Sequence, residues 1–325
     1  MNVAEQLRGA RLIVTGGCGF IGSHLVRRLS ELDVAAVTVL DDLRGGSPAN
    51  LAGLDDRIEL RTVSIDGSAP REVEDALTGA DYLLHLAAVK SNDPDRGPEE
   101  ILRTNVLGTY QLFEAAARAG VQRVIFTSSL YAYGRMTGPP MREDEPALPV
   151  SVYGTSKLAG ERFLCALAAK DGPAFNSLRY FFAYGPGPSQ ESSYRSVITL
   201  TVDRLLRGER AIVNGDGLQE LDYVYVGDIV EATLRTLTTE STGELLNVCS
   251  GKGVPVIELL GEIQRAAGHA GEPIDPAPAD ETDGTSRVGD PTRSADVLGF
   301  RAETKLADGL AATVEAASRE LRVNG

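Results

Sequence analysis

The chemistry in this chain is concentrated at Tyr153-Gly154-Thr155-Ser156-Lys157. Residues four apart on a helix share a face, so Lys157 stands beside Tyr153. A free phenol titrates near about 10, too high for a base at neutral pH. A neighbouring ammonium favours the phenolate, as would any further positive charge beside it. Such a tyrosine takes a proton from a substrate hydroxyl while a hydride leaves the same carbon. Ser129 follows the apolar run ending at Ser128 and adds a hydroxyl that orients the substrate oxygen; Ser128 is counted with it as substrate-binding. Tyr-x-x-x-Lys pairs also arise by chance on many helices, so this reading depends on what precedes the pair.

What precedes it is a nucleotide-binding turn. In Thr15-Gly16-Gly17-Cys18-Gly19-Phe20-Ile21-Gly22 the glycines Gly16, Gly19 and Gly22 recur every third residue, between the apolar run Leu12-Ile13-Val14 and the amphipathic stretch 23–29. A strand turning sharply into a helix wants glycine there, and so does a backbone that must touch a pyrophosphate. The helix start offers open N–H groups and a positive dipole end, and Phe20 and Ile21, within the turn, are counted with the cofactor residues. A tight strand–helix turn with no ligand is the competing reading. Asp41 weighs against it: it ends the next apolar run, 19 residues past Gly22, where a second strand delivers an acid to the adenosine ribose. Asp42 stands beside it. A carboxylate there repels a 2′-phosphate and favours NAD, while Arg44 keeps NADP open.

Further cofactor contacts are expected along the strand ends. Asp66-Gly67, after the third strand, reads either as an acceptor for the adenine amino group or as a helix N-cap. Leu86-Ala87-Ala88 ends the fourth with small residues against which a cofactor can lie. Lys90 either meets the pyrophosphate or nicotinamide ribose, or is a solvated loop lysine. Asn105, an amide inside a helical stretch, is grouped with the cofactor residues and also reads as a brace for a neighbouring strand end.

The elements that must position these groups alternate. Strands are expected at 11–15, 37–41, 58–64, 82–86, 123–128 and 174–180, with helices between them, including 99–119 and 153–170. This is the pattern of an α/β fold, a Rossmann doubly wound parallel sheet. After residue 180 the alternation breaks, with helices expected at 197–207, 226–238 and 256–267. Residues 1–180 are therefore read as the dinucleotide-binding domain. Residues 181–325 form a smaller, mixed substrate lobe, with some chain crossing back to the sheet. The polar stretch 268–284 reads as an exposed loop.

Composition narrows the class. At 325 residues and 42% hydrophobic content the chain is long enough for a large core. A formal net charge of −14 argues against nucleic acid and anionic membranes. Cys18, Cys165 and Cys249 have no metal-ligand spacing and are odd in number, which fits a reduced cytoplasmic setting. No signal-peptide layout and no membrane-length apolar run is present.

The chain resembles the extended short-chain dehydrogenases/reductases, in particular their nucleotide-sugar epimerase and dehydratase branch and the UDP-glucose 4-epimerases within it. The likeness rests on the glycine turn at 15–22, His-Leu-Ala-Ala at 85–88, Asn-Val-Leu-Gly-Thr at 105–109 and Ser-Ser-Leu-Tyr-Ala-Tyr-Gly at 128–134. It continues through 153–157, Arg-Tyr-Phe-Phe-Ala-Tyr-Gly-Pro-Gly at 179–187 and the run 215–228. It implies NAD as cofactor, Ser129, Tyr153 and Lys157 as catalytic triad, and Lys90 at the cofactor. It implies a UDP-sugar as favoured substrate. It also implies a homodimer built from helices 99–119 and 153–170 as a four-helix bundle, by analogy of fold alone.

Within that branch residues discriminate. Sugar 4,6-dehydratases carry an Asp-Glu pair after the catalytic Ser/Thr, for proton chemistry at C5 and C6; here Leu130 and Tyr131 stand there. C4 epimerisation, which needs hydride out and hydride back, is the expected reaction. A ketosugar reductase using the same residues is the first rival, and a non-enzymatic Rossmann binding module the second. Two departures concern the diphosphate: Phe182 replaces the family's asparagine, and Leu221 its arginine. Arg195 and Arg287 are candidates to compensate, or else surface arginines.

Overall fold

The computed structural model describes residues 3–90, 97–136, 138, 140–187, 196–280, 282 and 284–322, with backbone alone for 323–324. In chain order a short helix α1 (Val3–Gln6) precedes β1 (Arg11–Thr15), α2 (Phe20–Ser30), β2 (Ala36–Asp41) and β3 (Ile58–Thr62). Then come α3 (Pro70–Leu77), β4 (Tyr82–His85), α4 (Pro98–Ile101), α5 (Thr109–Arg118), β5 (Arg123–Ser129), α6 (Val152–Ala168) and β6 (Ala174–Tyr180). The second half adds β7 (Phe182–Tyr184), α7 (Val197–Leu206), β8 (Ile212–Asn214), β9 (Glu220–Leu221), β10 (Tyr223–Tyr225), α8 (Val226–Thr238) and β11 (Glu244–Val248). It ends with β12 (Val254–Pro255), α9 (Val256–Ala267), β13 (Asp275–Ala277), β14 (Ser286–Arg287), α10 (Thr292–Leu298) and α11 (Leu306–Asn324).

The central sheet is parallel throughout, in the order β11-β6-β5-β4-β1-β2-β3. Strand order reverses between β1 and β4, and the carboxyl ends at such a switch point leave a crevice for ligand. Alternation along each strand feeds two cores. Leu12 and Val14 of β1 pack with α2 and α8 on one face, whereas Ile13 packs with α3, α5 and α6 on the other. A third core, built from α7, α9, α11 and β9–β10, gathers Ile198, Val202, Leu205, Leu259, Leu260, Ile263, Leu310 and Val314.

Three expectations change. The helix over 99–119 is interrupted: residues Leu102–Gly108 form a π-type turn between α4 and α5. Two contacts accompany that turn: Asn105, at its middle, bonds the chain after β4, and Gly108, at its end, lies against Ile65, with room for no Cβ. The stretch 268–284 is not loop throughout, since β13 pairs in parallel with β8. The sheet also has a seventh strand, β11, supplied from the second half of the chain and paired with β6.

Candidate active site

The glycine turn is built by contact. Gly16 adopts φ +71°, and a Cβ there would lie 2.7 Å from the Ala87 nitrogen. At Gly22 a Cβ would fall 2.1 Å from the Gly16 carbonyl oxygen, so α2 can approach β1 only through glycine. Gly19 is the N-cap of α2 and gives it no side-chain cap, which leaves the first-turn N–H groups to an outside acceptor.

Beside this turn Asp41, 7% exposed, accepts from the Cys18 N–H at 2.8 Å through one oxygen and from the Leu43 N–H at 2.9 Å through the other. Arg44, the residue that kept NADP open, is engaged by Asp42 at 2.8 Å and by Glu100.

A cavity of about 310 Å³ runs along the strand ends, from Asp41, Asp42, Val63 and Ile65 past Gly16, Gly19, Phe20, Ile21 and Gly22 to Tyr153 and Lys157. Leu86, Ala87, Ala88 and Lys90 line it, as do Ser128, Ser129 and Phe182. Thr104 lines it too, and its hydroxyl is buried without a hydrogen-bond partner, as a ligand-facing donor would be. An open helix N-terminus, an acid at the second strand and a lone buried hydroxyl on one elongated cavity fit a dinucleotide.

The other expected residues are placed as follows. Asn105 is not on the cavity wall: its amide donates to the Val89 carbonyl at 2.8 Å and to the Ser156 hydroxyl at 3.1 Å, while its oxygen accepts the Val89 N–H at 2.8 Å. These bonds brace the chain after β4 against the start of α6. Asp66 and Gly67 lie off the wall, and Asp66 accepts from Ser68 N–H and hydroxyl, which holds its carboxyl below the usual range. It is no N-cap either, because α3 is preceded by Ala69. Ser128 donates its hydroxyl to Glu161 at 2.5 Å. Leu221, 5% exposed, points into the third core. Arg195 lies outside the described residues.

The catalytic candidates converge from β5 and α6. Ser151 caps α6 by accepting the Gly154 N–H at 3.0 Å. A Cβ on Gly154 would come within 2.3 Å of the Tyr131 carbonyl oxygen, so glycine lets α6 close on the turn after Ser129. Tyr153 meets the ring of Tyr131 edge-on, centroids 5.9 Å apart. Lys157, 3% exposed, donates to the Thr127 carbonyl at 2.9 Å, with its ammonium 5.7 Å from the centre of the Tyr153 ring. Burial, and then repulsion from Lys90, push Lys157 down to about 7, while Glu161 pulls it back up. His85 is fully buried between the hydroxyls of Thr15 and Thr109 and is held neutral by that burial.

Arg287 is no surface arginine. It is 8% exposed, sits directly opposite Leu221 in the β14–β9 pairing, and lays its guanidinium 5.4 Å from the centre of the Tyr131 ring. Pairing between segments 66 residues apart hid this from the sequence. Thr104, Gly45 and Gly46 also line the cavity and were not singled out, and Tyr131, read only as standing in place of a dehydratase acid, lines it too.

Comparison with known proteins gives the same picture. Residues 12–249 match the NAD dependent epimerase/dehydratase family. The chain is 35% identical over 315 residues to the UDP-glucose 4-epimerase of Mycolicibacterium smegmatis, covering 94% of this chain and 97% of that one. A UDP-N-acetylglucosamine 4-epimerase from Methanobrevibacter ruminantium, in complex with UDP-N-acetylmuramic acid, superposes with a TM-score of 0.89 at 28% identity, over 96% and 99% of the two chains. A dTDP-glucose 4,6-dehydratase from Streptomyces venezuelae with NAD bound gives 0.87 at 30% identity, over 96% and 98%. A Rossmann sheet, a cavity running from Asp41 past the glycine turn to Tyr153, and these matches make the chain an NAD-dependent enzyme of the extended short-chain dehydrogenase/reductase type, a member of the NAD-dependent epimerase/dehydratase family that acts on nucleotide sugars.

Proposed function

We propose that the chain is an NAD-dependent epimerase of a nucleotide-activated sugar, most simply a UDP-sugar, acting at C4. The observation that carries this is the acid–base inventory of the cavity. Among the described residues that line it, the carboxylates are Asp41 and Asp42 at the end of β2, three strands from Ser129 on β5. Adjacent strands lie about 4.8 Å apart, so those acids stand on the order of 14 Å from the reacting end. Leu130 and Tyr131 supply none nearer. Proton removal at C5, which dehydration needs, lacks a base; proton removal from a hydroxyl has Tyr153.

Bound NAD would supply reversible hydride exchange with the sugar carbon. Tyr153 takes the hydroxyl proton and later returns it, Ser129 orients the same oxygen, and the Lys157 ammonium favours the phenolate. Gly16, Gly19, Phe20, Ile21, Gly22, Asp41, Asp42, Leu86, Ala87, Ala88 and Lys90 form the cofactor wall. Phe182 flanks the substrate, and Arg287 takes over the diphosphate grip beside Leu221. Residues 1–180 and 181–325 act as cofactor and substrate lobes. Exposed Leu102, Leu107 and Val152, on the helical run 98–118 and on α6, favour a homodimer that pairs those helices.

The test is NMR of purified protein, without added NAD, in deuterated water with UDP-glucose, UDP-N-acetylglucosamine and UDP-glucuronate. A C4 epimer without deuterium at C5 is expected, and Tyr153→Phe should lower its rate at least about a hundredfold. Deuterium at C5, or turnover only with external cofactor, would overturn the epimerase reading.

A further inference from the structure

Beneath the proposed catalytic groups lies a buried ion pair that the reaction does not itself use. Glu161, 5% exposed, receives Arg179 in a two-pronged bond, Nε at 2.9 Å and Nη2 at 2.8 Å, and also the Ser128 hydroxyl. Ser128 and Arg179 face each other across β5 and β6, one pair below Ser129 and Tyr180. Arg179, 1% exposed, rests 4.2 Å over the Tyr133 ring, and the Tyr133 hydroxyl donates to Asn247 at 2.8 Å. Removing two charges from water is costly, and an ion pair of this kind is weak evidence for stability.

Its place suggests another use. Glu161 is one turn beyond Lys157 on α6, where side chains meet. Thr127, which accepts from Lys157, is next to Ser128, which donates to Glu161. The other ionisable groups around Lys157 are unhelpful to its charge. Lys90, from the chain after β4, repels it; His85 on β4 is neutral; Tyr153 is the group the ammonium must serve; Arg179 on β6 is positive. An oxidised nicotinamide would add one more positive charge.

We propose that Glu161, held in place by Ser128 and Arg179, is a positioning residue that acts as the counterion of Lys157 and keeps it an ammonium beside the cofactor. This rests on the reading of Tyr153 and Lys157 as the proton-transfer pair, but its test does not depend on knowing the sugar.

The chain has five lysines, so lysine labelled with ¹³C at the ε carbon gives five signals, and Lys157 is identified by its loss in Lys157→Met. In wild-type protein freed of cofactor its midpoint should lie near 7. In Glu161→Gln it should fall by about one pH unit or more, as expected for losing one charge a helical turn away. Glu161→Gln leaves a buried arginine unpaired, so the double variant Glu161→Gln with Arg179→Gln, which removes both charges, is measured beside it and should shift in the same direction. Ser128→Ala, which keeps the pair, should move the midpoint by less than about a third of a unit. With an epimerisable sugar, both limbs of the kcat–pH profile should move to lower pH in Glu161→Gln, whereas a purely structural role lowers kcat and leaves the limbs in place. An unmoved Lys157 midpoint in whichever charge-removing variant folds would overturn the proposal. Failure of every sugar to react would bear on the function and leave this titration readable.

Discussion

Replacing Asn105 by alanine isolates the brace between the chain after β4 and the start of α6. Its amide completes both backbone groups of Val89, which is 1% exposed, and one bond to Ser156, which in turn donates to the Tyr153 carbonyl at 2.7 Å. A buried backbone group left unsatisfied costs about 1–3 kcal/mol. Two of them, less what a water entering the vacated space recovers, put Asn105→Ala at about 2–4 kcal/mol. Urea unfolding, read as a midpoint shift at unchanged slope, measures it. Asn105→Asp sharpens the test. A carboxylate still accepts the Val89 N–H but has no proton for the Val89 carbonyl or for Ser156, so it should be no more stable than the alanine variant at pH 7. Because Leu86, Ala87, Ala88 and Lys90 line the cavity, the same variants should retain less NAD through purification. A loss below about 0.5 kcal/mol for alanine, or wild-type stability for aspartate, would refute the assignment.

Lys157 makes stability pH-dependent in protein freed of cofactor. A lysine titrates near about 10.4 when unfolded and near 7 here, so the unfolded chain holds more protons between those values. Stability should rise with pH across that window, by at most about 1.4 kcal/mol per unit, and Lys157→Met should abolish this component. Asp222 runs the other way: burial pushes it up to about 6, so lowering the pH from 6 toward 4 favours the fold. Asp222→Asn should nevertheless destabilise by about 1–3 kcal/mol in thermal unfolding at pH 7, because the Gly251 and Gly289 N–H groups both point at one carboxylate oxygen. Arg287→Ala should weaken UDP binding by calorimetry about tenfold to a hundredfold, the loss expected for one charge-assisted donor, while leaving NAD retention unchanged.

Local pattern carried much of this fold. The runs 11–15 and 174–180 and the helices 226–238 and 256–267 were legible because apolar periodicity and flanking glycine state an element without reference to partners. Glu244–Val248 was not read as a sheet strand, since five residues ending in Asn247-Val248 declare themselves only by pairing with β6. In the site the same division holds. Gly16, Asp41, Tyr153 and Lys157 were visible from spacing along the chain. The turn of Ser128 toward Glu161 was invisible, because it depends on Arg179 across the sheet. So was the placing of Arg287 beside Leu221, because a two-residue strand has no sequence signature of its own.

The late arrival of β11 has a consequence for synthesis. When the ribosome has released residue 180, β6 is the open edge of a parallel sheet, with the hydrogen-bonding row on the side away from β5 unpaired and Asn176 lacking its partners Ser241 and Glu244. Some sixty further residues must emerge before Glu244–Val248 can close that edge. A nascent chain of this length therefore displays a strand seeking a partner, and a neighbouring nascent chain on the same message offers an identical one. Fragments ending near 180 should aggregate through that edge, whereas fragments extended past 248 close it, although their third core still lacks α9 and α11. The strand contributed by the second half thus makes that half a requirement for completing the first.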